Sequence, residues 1–372
     1  MWRASIIEFI DLKKQYTSIK EDVDNSISRV LNASNFVQGK EVKDLESVLS
    51  NFVGAKCVTC ANGTDALFIA LKALNIKPGD EVIVPSFTWV STAEVVKMVG
   101  AEPIFIDIGK DFNLNQDLLE NVFTKKTKAV IAVSMFGLCA ELEKIMEFCE
   151  TKNIFLIEDG AQSFGAMHNN KMSCSIAHIS TTSFFPAKPL GCYGDGGALF
   201  TNDESLFNKI DAISKHGQKG RYNYIEVGVN SRLDTLQAAI LLEKFKIFED
   251  EISIKNDIAK QYNEILKSSH TITTPFIPNN ENRSVWAQYT ILLDDSASVS
   301  RDEIMDKLKN RGIPSALYYP QPLHLVDLYA ENKISLPVTE NFAKRVLSLP
   351  MHAYLSKGEI NHVAESLLEF YN

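Results

Sequence analysis

Lys188 lies between Pro186 and Pro189, beside Phe184 and Phe185 and ahead of the glycine-rich run Gly191-Cys-Tyr-Gly-Asp-Gly-Gly197. Proline fixes φ and removes a backbone donor, so this spacing predicts a rigid, partly buried turn. Burial lowers an amine's pKa by disfavouring its charged form, and the free amine is the form that attacks a carbonyl. Taken alone, the same residues suit an ordinary surface-loop lysine equally well.

Its companions narrow the choice. Asp159 closes the run Phe155-Leu-Ile-Glu-Asp at the carboxyl end of an expected strand, where open α/β sheets build their sites. An acid there can keep a pyridine nitrogen protonated and make the ring an electron sink, or it can merely cap the next helix. Ala61-Asn-Gly63-Thr64 falls between a strand and a helix, so the Gly63 and Thr64 amides and the Thr64 hydroxyl could cradle a phosphate. Asn-Gly-Thr is also a common turn. Ser183 adds a possible phosphate contact, and Trp89 offers a ring for stacking, although packing at a loop edge is the commoner use of a tryptophan. A phosphate cradle, a stacking aromatic, a strand-end acid and an activated lysine together fit pyridoxal phosphate. Their coincidence is more specific than any one of them.

These residues need a frame. From Ala55 to Asp159 short apolar runs alternate with amphipathic ones: strands at Lys56–Ala61, Glu81–Pro85, Glu102–Asp107, Lys128–Ser134 and Ile154–Asp159, helices at Asp65–Leu74, Thr92–Val99 and Glu141–Thr151. This βαβα rhythm predicts a parallel sheet covered by helices on both faces. Strands follow at Ile179–Phe184 and Gly197–Thr201, then a helix over Ser231–Phe248 with Ser231 as its expected N-cap. Glu251–Leu266 reads as helix, Trp286–Leu293 as strand, Arg301–Asn310 as helix and Gly358–Phe370 as the terminal helix. The expected division is a large α/β unit over residues 1–250, with an N-terminal helical segment, and a smaller α+β unit over 251–372.

Bulk properties exclude other classes. The 372 residues carry a net charge of −9 with no basic block that could track a phosphate backbone, which argues against nucleic-acid binding. No membrane-spanning run or signal peptide is expected, and six irregularly spaced cysteines suggest reduced thiols and a cytoplasmic setting. Cys57-Val-Thr-Cys60 is one CxxC in an apolar stretch, better read as core than as half of a zinc site, and no metal is expected. No GxGxxG follows the first strand, which weighs against a nicotinamide oxidoreductase.

Four motifs carry a family resemblance: Ala61-Asn-Gly-Thr-Asp-Ala-Leu67, Glu158-Asp-Gly-Ala-Gln-Ser163, Ser183–Gly197 and Val227-Gly-Val-Asn-Ser-Arg-Leu-Asp-Thr-Leu-Gln-Ala-Ala239. The chain resembles the DegT/StrS-type sugar aminotransferases of the type I pyridoxal-phosphate fold, over nearly its whole length. Within that family, the run through Lys188 and the segment Gly217-Gln…Arg221-Tyr222 are most similar to enzymes that aminate UDP-2-acetamido-2-deoxy-3-keto-glucuronate at C3 for bacterial O-antigens. The resemblance implies Lys188 as the Schiff-base and proton-transfer residue, Asp159 at the pyridine nitrogen and Gln162 near the phenolic oxygen. It implies Gly63, Thr64 and Ser183 at the phosphate, Trp89 on the ring, and Asn230 at the phosphate of a neighbouring subunit's cofactor in a homodimer. Arg232 and Arg221 would meet the anionic substrate, whose diphosphate and carboxylate suit guanidinium geometry. Arg232 also suits a plain surface position.

Tyr318 stands where the family often has histidine, and Tyr318, Tyr319 and His324 are expected substrate contacts, although a lone histidine commonly serves structure. Glutamate is the expected donor. Related sugar dehydratases carry histidine in place of Lys188, so the lysine favours amino transfer. Amination of another position, such as a 4-keto sugar, stays open. The intact Lys188, Asp159 and Thr64 argue against a non-catalytic regulator on the same fold.

Overall fold

The computed structural model describes residues 7–294, 299–329 and 333–371. Its centre is a seven-stranded sheet in the order β1-β9-β8-β5-β4-β2-β3. These strands are β1 (Lys56–Cys60), β2 (Glu81–Pro85), β3 (Glu102–Ile106), β4 (Thr127–Val133), β5 (Phe155–Asp159), β8 (Ile179–Ser183) and β9 (Gly197–Thr201). Two short hairpins lie outside it, β6 (Met167–His168) with β7 (Lys171–Met172), and β10 (Gln218–Gly220) with β11 (Asn223–Tyr224). A second sheet joins β12 (Ile272–Thr273), β13 (Tyr289–Leu293) and β14 (Val346–Leu349).

The strands are apolar on both sides because helices cover both faces. In β2, Ile83 joins one core with Leu45, Val130, Leu156 and Phe200, whereas Val82 and Val84 join the other with Leu67, Ile69, Ile131 and Ile157. The helices Lys40–Val53, Leu142–Lys152 and Thr235–Phe245 supply the first face; Gly63–Ala73, Ser91–Met98 and Glu204–Ser214 supply the second. The two-residue period of β5 carries this division onto its end: Leu156 and Glu158 face one core, Ile157 and Asp159 the other. Asp159 therefore emerges on the side of the helix that begins at Gly63.

The expected sheet is mostly parallel, with one exception. β9 runs antiparallel to β8 and to β1, with Ser183 opposite Gly197 and Gly197 opposite Cys60. Parallel neighbours need a crossover, usually a helix. The loop from Phe184 to Gly196 contains no helix and returns directly beside β8.

Two further expectations are corrected. The helix expected from Ser231 starts at Thr235; Ser231 is buried, and its hydroxyl accepts the Ala61 N–H at 3.1 Å. The strand expected from Trp286 starts at Tyr289, because Trp286 has φ 48°, outside the extended region. All six cysteines are buried free thiols.

A separate, small core gathers Tyr262, Tyr289, Ile291, Leu308, Leu347 and Val363. The helix Phe248–Leu266 spans two cores: Phe248 and Ile252 pack with Leu45 and Val130 on the first sheet face, Ile258 and Tyr262 in the small core. Ile7, at the start of the described chain, also packs in the small core.

Candidate active site

β1, β4, β5 and β8 point the same way, so their carboxyl ends open on one edge of the sheet, where β9 begins. That edge gathers Asn62–Thr64, Ser134–Phe136, Asp159–Gln162, Ser183–Lys188 and Gly197 from distant parts of the chain.

Asp159 is buried at the end of β5 and accepts hydrogen bonds from the Thr92 hydroxyl (3.0 Å) and the Ala161 N–H (3.2 Å). Burial pushes its carboxyl above the ordinary range, while the Ala161 amide, the Lys188 charge and the Thr92 hydroxyl pull it back. Lys188 is half-buried on the Pro186–Pro189 turn, whose backbone closes through its own N–H to the Phe185 carbonyl at 2.8 Å. Burial pushes the amine down, opposed by the Asp159 charge. Among the described residues its Nζ makes no hydrogen bond or ion pair. The site thus couples an amine biased towards its free form with a buried acid that lacks a full counter-charge.

The helix start beside them has the form of an anion cradle. Asn62 Oδ1 takes the Asp65 N–H at 2.8 Å, and the Asn62 carbonyl takes the Ala66 N–H at 3.1 Å. Among the described residues no acceptor takes the Gly63 and Thr64 amides, the first donors of the helix. Side chains are excluded from the approach: a Cβ on Gly63 would stand 2.7 Å from Ser183 Cβ, and one on Gly197 would stand 2.6 Å from the Asn62 carbonyl. The Thr64 hydroxyl bonds Ser91 Oγ at 2.7 Å, and Ser183 Oγ accepts the Phe185 N–H at 3.2 Å. Two open amides, two hydroxyls, a buried acid and an unpartnered amine fit a phosphate-bearing pyridine aldehyde.

Gln162 is fixed at both ends. Its Oε1 accepts the Phe136 N–H at 3.0 Å, and its Nε2 donates to the Tyr319 hydroxyl at 3.1 Å. Burial pushes the Tyr319 phenol well up, so that hydroxyl stays neutral. Trp89 is 59% exposed, with its ring centre 6.2 Å from that of Tyr319. Tyr318 is half-buried, its ring 6.0 Å from that of Tyr319.

Arg221 is exposed near the β10–β11 hairpin, its guanidinium 5.1 Å from the centre of the Tyr222 ring. Asn230 is exposed and Arg232 half-buried, and among the described residues neither makes a side-chain hydrogen bond to Lys188 or Asp159. His324 is fully buried, with Nδ1 2.6 Å from Ser86 Oγ and Nε2 3.3 Å from Glu340 Oε1, so both ring nitrogens have partners within the chain. Thr92, Ser91 and the Phe136 amide were not expected. Ser91 and Thr92 open the helix after the Trp89 segment, a position of the same kind as Thr64, and that parallel was the available signal.

Residues 17–368 match the DegT/DnrJ/EryC1/StrS aminotransferase family. The chain is 50% identical to the UDP-2-acetamido-2-deoxy-3-oxo-D-glucuronate aminotransferase of Pseudomonas aeruginosa, over 97% of this chain and 99% of that one. The crystal structure of a family member from Brucella abortus superposes with a TM-score of 0.93 at 42% identity, covering 98% of this chain and all of that one. NtdA from Bacillus subtilis, solved with the cofactor PMP, superposes with a TM-score of 0.91 at 29% identity, covering 98% and 85%. This chain therefore belongs to the DegT/DnrJ/EryC1/StrS aminotransferase family and is a pyridoxal-phosphate-dependent sugar-nucleotide aminotransferase.

Proposed function

We propose that the enzyme moves an amino group from L-glutamate to C3 of UDP-2-acetamido-2-deoxy-3-keto-D-glucuronate, supplying a diamino sugar for a bacterial surface glycan such as O-antigen. The observation that carries this reading is the end-to-end likeness to the Pseudomonas aeruginosa enzyme, at 50% identity.

The residues divide the work. The Gly63 and Thr64 amides, with the Thr64 and Ser183 hydroxyls, would hold the cofactor phosphate. Asp159 would meet the pyridine nitrogen, Gln162 the phenolic oxygen and Trp89 the ring. When bound, pyridoxal phosphate supplies the electron sink that lets nitrogen pass between amino acid and keto sugar. Lys188 takes a proton from the donor carbon and returns one at the acceptor side. Its amine is ready because burial weakens the charged form. Asp159 keeps its charge next to a cation, which offsets the cost of burying it. Arg221, Arg232, Tyr318 and Tyr319 serve the nucleotide sugar, with guanidinium groups suited to its diphosphate and uronate.

A homodimer completes the site in this reading. Tyr222, Tyr224, Ile225 and Val227 are 58–78% exposed around the hairpin that leads to Asn230, an apolar surface suited to a second copy. Val227→Asp is expected to shift sedimentation towards monomer and weaken cofactor retention; an unchanged dimer would remove this face from the interface.

The functional test supplies glutamate with the 3-keto uronate and follows 2-oxoglutarate release and the product by NMR. The expected product carries nitrogen at C3. Turnover restricted to 4-keto sugars would overturn the substrate assignment and leave the aminotransferase itself intact.

A further inference from the structure

A cavity of about 290 Å³ opens on the apolar cluster that holds Phe112, Met135, Phe136, Leu292 and Phe342, and none of the residues assigned to the cofactor lines it. Its walls are aromatic: Phe112 and Phe136 from the N-terminal half, Trp286 and Phe342 from the C-terminal part. Phe112 centres the cluster, with ring centroids 5.1 Å from Phe136 and 5.3 Å from Phe342. Such walls favour a flat ring that can meet edges and faces. The volume is close to the lower end for small-molecule pockets.

Charge at the mouth selects further. Asp111 is taken up by the backbone and side-chain amides of Asn113. Arg345 donates to the Leu293 carbonyl and to Asn341 Oδ1. Lys110 is exposed, and among the described residues it makes no hydrogen bond or ion pair. The uncommitted charge at this cavity is therefore positive.

Two wall residues hold unusual backbone: Phe136 has φ 56° and Trp286 has φ 48°. Conformations of this kind persist only where surroundings over-determine them, and they collect at ligand clamps. Here the two strained segments abut. The Val285 N–H donates to the Gly137 carbonyl at 3.0 Å, and a Cβ on Gly137 would stand 2.5 Å from the Trp286 nitrogen. Phe136 also touches the active site by two routes. Its N–H holds Gln162 Oε1 at 3.0 Å. Its ring leads through Phe87 (6.2 Å) and Tyr319 (6.0 Å) to Trp89 (6.2 Å).

We propose that this cavity is an effector site for a small planar aromatic molecule bearing one anionic group, seated against Phe112, Phe136 and Trp286 with its charge at Lys110. Occupancy changes the hold of Phe136 on Gln162 and so the surroundings of the cofactor. Coupling between two sites is a free energy that either ligand can report.

The test titrates the holoenzyme with 8-anilinonaphthalene-1-sulfonate, an aromatic monoanion, reading probe fluorescence and the cofactor absorbance band together. The expected result is saturable binding of one probe per chain with a concurrent shift of that band. Thr274→Trp, which fills the cavity from its lining, should abolish saturable binding. Lys110→Glu, at an exposed position, should weaken the probe about tenfold, as expected for reversing one near-surface charge, and spare neutral N-phenyl-1-naphthylamine. Circular dichroism verifies that both variants fold. Absence of saturable binding, equal binding by folded Thr274→Trp, or indifference to Lys110→Glu would overturn the site. Binding without any change in the cofactor band would overturn the coupling.

Discussion

The Gln162 Nε2 donates to the Tyr319 hydroxyl at 3.1 Å across 157 residues of sequence, joining the loop after β5 to a segment from the C-terminal third. The other end of the same amide is held by the Phe136 N–H. Gln162 thereby has one orientation, with its oxygen towards Phe136 and its nitrogen towards Tyr319.

Tyr319→Phe removes the acceptor and keeps the ring. A buried amide nitrogen left without a partner costs about 1–3 kcal/mol. Steady-state kinetics should show kcat/KM reduced about tenfold, with a displaced cofactor band. Wild-type kinetics with an unmoved band would mean that Gln162 is oriented by Phe136 alone.

Asp159→Asn separates function from stability. Asparagine can still accept the Ala161 N–H, and its amide can donate to the Thr92 hydroxyl, so the local geometry survives. Burial raises the Asp159 pKa in the folded chain. Its contribution to stability is therefore full below the unfolded value and is lost as pH rises through the folded one. At neutral pH the cofactor-free Asp159→Asn protein should melt slightly higher than wild type, by about 1–2 °C. Its kcat should fall about 10²–10³-fold, the range for losing a preorganised charge partner. A lower melting point without cofactor would contradict the cost assigned to burying this carboxylate.

Gly63→Ala tests the cradle. The added methyl meets Ser183 Cβ at 2.7 Å, so one strand end or the helix start must shift. Equilibrium dialysis should show cofactor affinity weakened at least about tenfold, and overpacking should cost about 1–3 kcal/mol of stability. Unchanged affinity in a folded variant would place the phosphate elsewhere.

His324→Ala should damage folding more than catalysis. The ring is fully buried with both nitrogens engaged, and truncation leaves Ser86 short of a partner, a loss of about 2–4 kcal/mol. Denaturant titration should record that loss with KM for the sugar unchanged. A selective rise in KM would support the substrate role expected from sequence.

The elements around the site were legible because each strand end carries a local signal. An apolar run stops at Asp159, another at Ala61 before Asn-Gly-Thr, and the β-branched stretch Ile179–Phe184 stops before the proline-bounded lysine. Long-range relations were not legible. Ser231 looked like a helix cap because its bond to Ala61 spans 170 residues. The reversal of β9 depends on whether a loop crosses over or turns back, which strand patterns do not encode. Trp286 looked like strand because β propensity favours an aromatic there, whereas the approach of Gly137 fixes it at positive φ.

The most direct test of the central claim is where the cofactor attaches. The purified enzyme, loaded with pyridoxal phosphate, is reduced with borohydride, digested and mapped by mass spectrometry. The cofactor mass is expected on the peptide containing Lys188 and lost in Lys188→Ala, with amino transfer reduced at least about 10³-fold in that variant. Stoichiometric label on another lysine, such as the buried Lys244 or Lys255, or label that survives Lys188→Ala, would contradict the assignment.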